Sequence, residues 1–276
     1  MSIKMCFENG KKKAFTLSYD DGGVYDIPLI EIFNKHNLKS TFFVCSSRLE
    51  IGNFNLEKEE GSISYEKAKT LYEGHEIASH SVNHARVGEI ERSAVEYEVK
   101  EDIRAIKENL GIDIKGFAYP CGSQSDEAIE VIKEAGLSYA RTNKSTYNFD
   151  LPTDWYQWSF TCRHGDERLM ECAREFVSLN PETSKIFYVF GHSYEFARNR
   201  AWDKIDKWHI MEELADFMGG RDDIWYATNG EIYDYISAFN SLEIADDSIY
   251  NPSKQKVFFE LNGKVLSVDA NETINV

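Results

Sequence analysis

Apolar and polar positions along this chain follow two rhythms that alternate for most of its length. Short apolar runs rich in β-branched and aromatic residues predict strands at Lys13–Tyr19, Ser40–Cys45, His75–His80, Phe117–Pro120, Ser138–Thr142, Gln157–Thr161 and Lys185–Gly191. Between them, apolar residues at helical spacing predict helices over Ile27–His36, Ser64–Glu73, Ile90–Leu110, Ser125–Ala135, Glu167–Leu179 and Lys204–Met218. In the longest of these, Val99, Ile103, Ile106 and Leu110 share one face, and Gly111 ends the helix. Ser64 is a candidate N-cap, while Gly136 and the pair Gly219-Gly220 are stop signals. Ile224–Ala227 and Ile232–Phe239 complete the series.

Strands that alternate with helices of this length indicate βα units around a mainly parallel sheet, an α/β fold. The rhythm changes near Phe239. Val257–Glu260 and Val265–Val268 flank Asn262-Gly263, a strong hairpin signal, so 241–276 reads as a small β appendage to a main unit over 1–240.

Charge narrows the class of partner. The 276 residues include 31 basic and 47 acidic side chains, a formal net charge of −16. Such a surface repels phosphate backbones and anionic membranes, which argues against nucleic acid and membrane partners and favours a neutral or cationic substrate. The N-terminal residues lack the apolar core of a secretory signal, and no stretch approaches a membrane span. The five cysteines show no C-x-x-C spacing, so neither a disulfide framework nor a zinc ribbon is indicated. A cytoplasmic location is the expectation, and a homo-oligomer stays open.

Three polar clusters sit where predicted strands end, the position at which parallel α/β folds bind ligands. The first is Ser18-Tyr19-Asp20-Asp21-Gly22-Gly23. On a continuing strand the two carboxylates would point to opposite faces, but the glycines let the chain turn so that both can reach one site. The second holds His80 and His84, whose i and i+4 spacing lets two imidazoles grip one metal ion. Ser81 stands where a zinc protease would carry its glutamate, so the general base must come from elsewhere, and the first cluster supplies carboxylates. The third is Gly191-His192-Ser193-Tyr194-Glu195, where a histidine at the end of an apolar strand can act as a general acid.

In this order and at these strand ends, the clusters resemble the polysaccharide deacetylase (NodB-homology) family, carbohydrate esterase family four. Ser18-Tyr19-Asp20-Asp21-Gly22 resembles its T-F-D-D-G motif, His80-Ser81-Val82-Asn83-His84 its H-S/T-x-x-H motif, and Val189-Phe190-Gly191-His192 its L-x-H motif. The likeness spans roughly 13–238. It implies a distorted (β/α) barrel and a divalent metal held by Asp21, His80 and His84, with zinc the leading candidate and cobalt, nickel or iron also suited to that donor set. It implies Asp20 as general base and His192 as general acid in removal of an acetyl group from an N- or O-acetylated sugar or oligosaccharide.

The departures matter as much. The family's R-P-P-Y-G motif is represented by Ala118-Tyr119-Pro120-Cys121-Gly122, so the oxyanion donor would be the backbone N–H of Cys121 and the arginine that orients the base is missing. Arg141 and Arg163 are both candidates to replace it. The family's Asp-Trp motif resembles Asp154-Trp155, which makes Trp155 a candidate sugar platform, and Tyr119 and His164 are further candidate substrate contacts. Two other functions compete with a carbohydrate deacetylase: a metal-dependent amidohydrolase acting on a non-sugar amide or cyclic ureide, and a non-catalytic carbohydrate-binding barrel.

Overall fold

The computed structural model describes residues 2–52, 61–200 and 203–276. Strand β1 (Lys4–Cys6) leads into β2 (Lys13–Asp20), helix α1 (Asp26–Lys35), β3 (Ser40–Val44), α2 (Ser46–Ile51), α3 (Tyr65–Leu71), β4 (Glu76–Ser79), α4 (Arg92–Leu110), β5 (Gly116–Ala118), α5 (Asp126–Glu134) and β6 (Tyr139–Ser145). There follow β7 (Trp158–Phe160), β8 (Cys162–Arg163), α6 (Leu169–Ser178), β9 (Lys185–Gly191), β10 (Ala197–Arg200), β11 (Asp203–Asp206), α7 (Trp208–Met218), β12 (Ile224–Tyr226) and α8 (Asn229–Asn240). Five short strands end the chain: β13 (Glu243–Ile244), β14 (Ser248–Tyr250), β15 (Val257–Leu261), β16 (Lys264–Val268) and β17 (Thr273–Asn275).

The main sheet is parallel throughout, in the order β7-β6-β5-β4-β3-β2-β9-β8, with β12 paired to the start of β2. Its edges meet because Trp158–Arg163 serves both: β7 pairs with β6, and after the single residue Thr161, β8 pairs with β9. Thr161 pins the bend, its N–H donating to Tyr188 O (2.8 Å) and its Oγ1 accepting from Tyr188 N–H (3.1 Å). The result is a nearly closed (β/α) barrel.

Strand alternation decides what lines the barrel. On β2, Phe15, Leu17 and Tyr19 pack outward against the helices, while Ala14 belongs to the inner cluster and Thr16, Ser18 and Asp20 share its face. The lower interior is therefore polar, and it is satisfied by helix α8. Asn229 at the start of α8 accepts from Thr16 Oγ1 (3.0 Å), and Glu76 accepts from Thr41 Oγ1 (2.7 Å), Tyr139 OH (2.8 Å) and Gly230 N–H (2.7 Å). Buried hydroxyls and a buried carboxylate persist there because each has a partner. A full capping box at Thr228 and Glu231 fixes where α8 begins.

The helix expected from Lys204 starts instead at Trp208. Backbone groups of Asp203–Asp206 pair antiparallel with Ala197–Arg200, and Lys207 N–H closes onto Phe196 O (2.7 Å), so a hairpin takes the residues before the helix. The hairpin predicted at Asn262-Gly263 is present: both residues have positive φ, 51° and 77°, as a tight turn between right-twisted strands requires. It does not stand alone, because β1 pairs with β15 and makes a three-stranded sheet from the two ends of the chain. No helix among the described residues is long and apolar enough to cross a membrane.

Candidate active site

The C-terminal ends of β2, β4 and β9 bring the three clusters to one mouth of the barrel. Asp20 is the last inward residue of β2. Asp21 has φ 86°, so the chain turns at the second carboxylate itself, and its N–H is held by Phe43 O (2.9 Å). That left-handed step, continued by Gly22 at φ 65°, lets both carboxylates face one point.

The histidine pair is presented by a tight turn, not by a helix. Ser81 and His84 both have positive φ, 64° and 58°. Helix α4 holds this turn from behind. Glu98 accepts from Asn83 N–H and Asn83 Nδ2 (both 2.8 Å), and the buried Asp102 accepts from Ser46 N–H (2.7 Å) and Ser79 Oγ. His80 Nδ1 lies 2.8 Å from Ala118 O, which fixes its tautomer and aims Nε2 into the site.

Asp21, His80 and His84 each offer a ligand atom within 4.8 Å of the others. Asp21 Oδ1 is 3.6 Å from His84 Nε2 and 4.0 Å from His80 Nε2. Asp20 Oδ1, Asp21 Oδ1 and His80 Nε2 are buried without hydrogen-bond partners, a costly state unless something else binds them. Burial pushes the His80 imidazole down to about 4, so it is neutral and its nitrogen lone pair is free. These residues fit a divalent cation by donor type, separation and protonation.

Asp20 is clasped from across the barrel. Arg141 Nη2 lies 2.5 Å from Asp20 Oδ2, and both side chains are almost fully buried. The guanidinium stacks on Phe190 (3.9 Å to the ring centre) and faces Phe43 (5.2 Å). Burial would raise the Asp20 carboxyl, but Arg141, then His80 and His192, outweigh it and hold the group below its ordinary range. Arg163, the other candidate, pairs instead with Glu195 (2.7 Å).

His192 stands at the other side of the mouth with Nδ1 3.4 Å from Glu195 Oε1. The second oxygen of Glu195 is 2.8 Å from Nε2 of the buried His164, and a Cβ on Gly191 would collide with that ring. Burial lowers His192, yet Glu195, Asp20 and Asp21 together raise it above the ordinary histidine value. Burial would raise Glu195, but His164 and His192 hold it well below the usual carboxylate range. Glu98 and Asp102 organise the site without any motif to announce them, whereas Glu195 lies in the third cluster, three residues after His192.

The structure does not bring every expected residue here. Tyr119 follows the inward Ala118 and so points outward, buried between α4 and α5 with its hydroxyl on Tyr156 O (2.9 Å). Trp155 precedes the N-terminal end of β7, the far end of the barrel from the histidines, and packs edge-on against Trp158 and Tyr233. Asp154 there caps a short turn through Tyr156 N–H (2.9 Å). The Asp-Trp pair is thus part of the barrel floor. Cys121 lies exposed in a turn with φ 55° and borders a cleft of about 430 Å³ lined by Thr142, Asn143, Lys144, Gln157 and Ser159. His164 lines a second cavity, about 410 Å³, with Arg163 and Lys207.

Chitin deacetylase 1 of Cryptococcus neoformans is 30% identical to this chain over 152 residues, which cover 52% of the chain and 30% of that enzyme. The chain spans less than half the length of the curated relatives it matches. Among solved structures, one from Mycobacterium smegmatis assigned as a polysaccharide deacetylase is similar with a TM-score of 0.61 at 16% identity, over 87% of this chain and 95% of the other. A family-four pseudoenzyme from Bacillus anthracis is similar with a TM-score of 0.50 at 16% identity, over 82% and 66%. These likenesses establish the barrel, and a barrel shared with a pseudoenzyme leaves activity to be argued from side chains. Residues 7–140, which include Asp20, Asp21, His80 and His84, match the family model described as polysaccharide deacetylase.

Proposed function

We propose that the protein is a metal-dependent hydrolase that removes acetyl groups from an N-acetylated or O-acetylated carbohydrate. The observation that carries this reading is the convergence of Asp21 Oδ1, His80 Nε2 and His84 Nε2 beside a second, separately clasped carboxylate, Asp20. A binding protein has no use for an ionised base 3.5 Å from a ligand histidine. Two imidazoles and one carboxylate would hold zinc, or cobalt, nickel or iron, and leave positions open for water and substrate. Bound there, such an ion polarises an acetyl carbonyl and acidifies water.

The remaining work falls to the chain. Asp20, ionised and fixed by Arg141, takes the proton of the attacking water. The backbone N–H of Cys121 donates to the oxyanion as the carbonyl becomes tetrahedral. His192, its pKa raised by the Glu195 carboxylate beside it, gives its proton to the departing amine or alcohol. His164 and Arg163 hold Glu195 in place for that task. The cleft beside Cys121 is lined by hydroxyl and amide groups together with Lys144, a polar wall that suits a polyhydroxylated ligand.

The test is acetate release from a panel of N-acetylated oligosaccharides, O-acetylated sugars and small non-sugar amides. Release from sugars alone supports the proposal. Turnover of non-sugar amides alone replaces it with the amidohydrolase reading, to which the relocated arginine would then be the first clue.

A further inference from the structure

Asp21 has a cationic neighbour that the reaction does not call for. Arg48 Nη1 lies 2.6 Å from Asp21 Oδ1, the oxygen that faces His80 and His84. The approach is close but poorly directed: the guanidinium N–H groups are not aimed at Oδ1, which counts among the buried atoms without a hydrogen-bond partner. This is charge attraction without the directed hydrogen bond that would make the pair strong.

Arg48 has a fixed backbone and a partly exposed end. It lies in α2, immediately after β3. Its carbonyl accepts from Ser62 Oγ (2.6 Å) and Gly52 N–H (3.1 Å), and the preceding turn is tied to α4 through Ser46 N–H and Asp102 (2.7 Å). Its side chain is 38% exposed, so the guanidinium can swing to solvent without moving the helix. A guanidinium and a divalent ion on one carboxylate oxygen would stand only a few ångströms apart and repel.

We propose that Arg48 is a built-in competitor for the metal site: its guanidinium and the metal contend for Asp21 Oδ1, so the affinity of the site is set below what its three ligands alone would give, and loading drives the guanidinium outward. The inference rests on the reading of Asp21, His80 and His84 as a metal site. It concerns affinity, not turnover, and so is tested without substrate.

The experiment measures zinc and cobalt dissociation constants of the full chain by competition with a chromogenic chelator, for wild type, Arg48→Met, Arg48→Lys and His84→Ala. Met keeps the length of the side chain without its charge, and thermal melts of the metal-free proteins check that each variant folds. The expected result is a tightening of about tenfold or more in Arg48→Met, the scale on which groups around ligands tune affinity, with Arg48→Lys close to wild type. Unchanged or weaker binding in Arg48→Met overturns the proposal, because a guanidinium that merely orients Asp21 would weaken binding when lost. Loss of binding in His84→Ala with no change in Arg48→Met overturns the competitor role and leaves the metal site standing. No binding by either wild type or Arg48→Met overturns both.

Discussion

Arg141 reaches across the barrel from β6 to Asp20 on β2, 2.5 Å from nitrogen to oxygen, with Ala118 beside it in register on β5. The family motif carries an arginine at the position of Ala118. Here the small residue leaves the interior open, and the arginine of the neighbouring strand occupies it between two aromatic rings. The same carboxylate can thus be held by a cation supplied from a different strand.

This relationship predicts an unequal pair of variants. Arg141→Met leaves a buried carboxylate without its counter-charge and should cost about 3 kcal/mol of stability along with most of the activity. Adding Ala118→Arg to Arg141→Ala should restore part of both, since the guanidinium is returned from the adjacent strand. Thermal melts and acetate release check this. A double variant no better than Arg141→Ala alone would show that the base needs the β6 geometry.

If His192 is the general acid, as proposed, it sets the alkaline limb of the pH profile. Burial lowers its pKa, but Glu195 with Asp20 and Asp21 raises it above 6.5, so the protonated acid is lost only as pH climbs through that raised value. Its share of folding stability is likewise full below the unfolded pKa and lost as pH rises through the folded one. Glu195→Gln removes the carboxylate that does most to raise His192 and should move the alkaline fall in kcat to lower pH. An unmoved limb would assign that ionisation to another group.

Trp155 is a matter of packing. Wedged against Trp158 and Tyr233 at the barrel floor, it should cost roughly 2–3 kcal/mol when replaced by alanine, while KM for an acetylated sugar stays within about twofold. A large rise in KM with an unchanged melting temperature would return Trp155 to the substrate cleft.

Much of the barrel was legible in the chain because apolar strands and amphipathic helices leave a local period, as Val99, Ile103 and Ile106 do in α4. The clustering of Asp20, Asp21, His80 and His84 was legible for a related reason: each pair is adjacent or nearly so in sequence, and βα order brings strand ends to one mouth. What stayed hidden depends on long-range contact. Nothing near Arg141 or Arg163 says which one meets Asp20, since that is decided by which side chain points inward on neighbouring strands. The same alternation turns Tyr119 away. Asp154-Trp155 misled because a dipeptide carries no information about the end of the strand at which it sits. The pairing of Asp203–Asp206 with Ala197–Arg200 overrode a helical pattern, and β1 found β15 across almost the whole length of the chain.

The most direct test compares acetate release by wild type and Asp20→Asn, each stripped with a chelator and then reloaded with zinc or cobalt. The account predicts that metal restores release to wild type, and that the asparagine variant binds the metal yet releases acetate about 100-fold more slowly or worse, the usual loss for a missing general base. Wild-type turnover in Asp20→Asn, or release indifferent to metal, would contradict it.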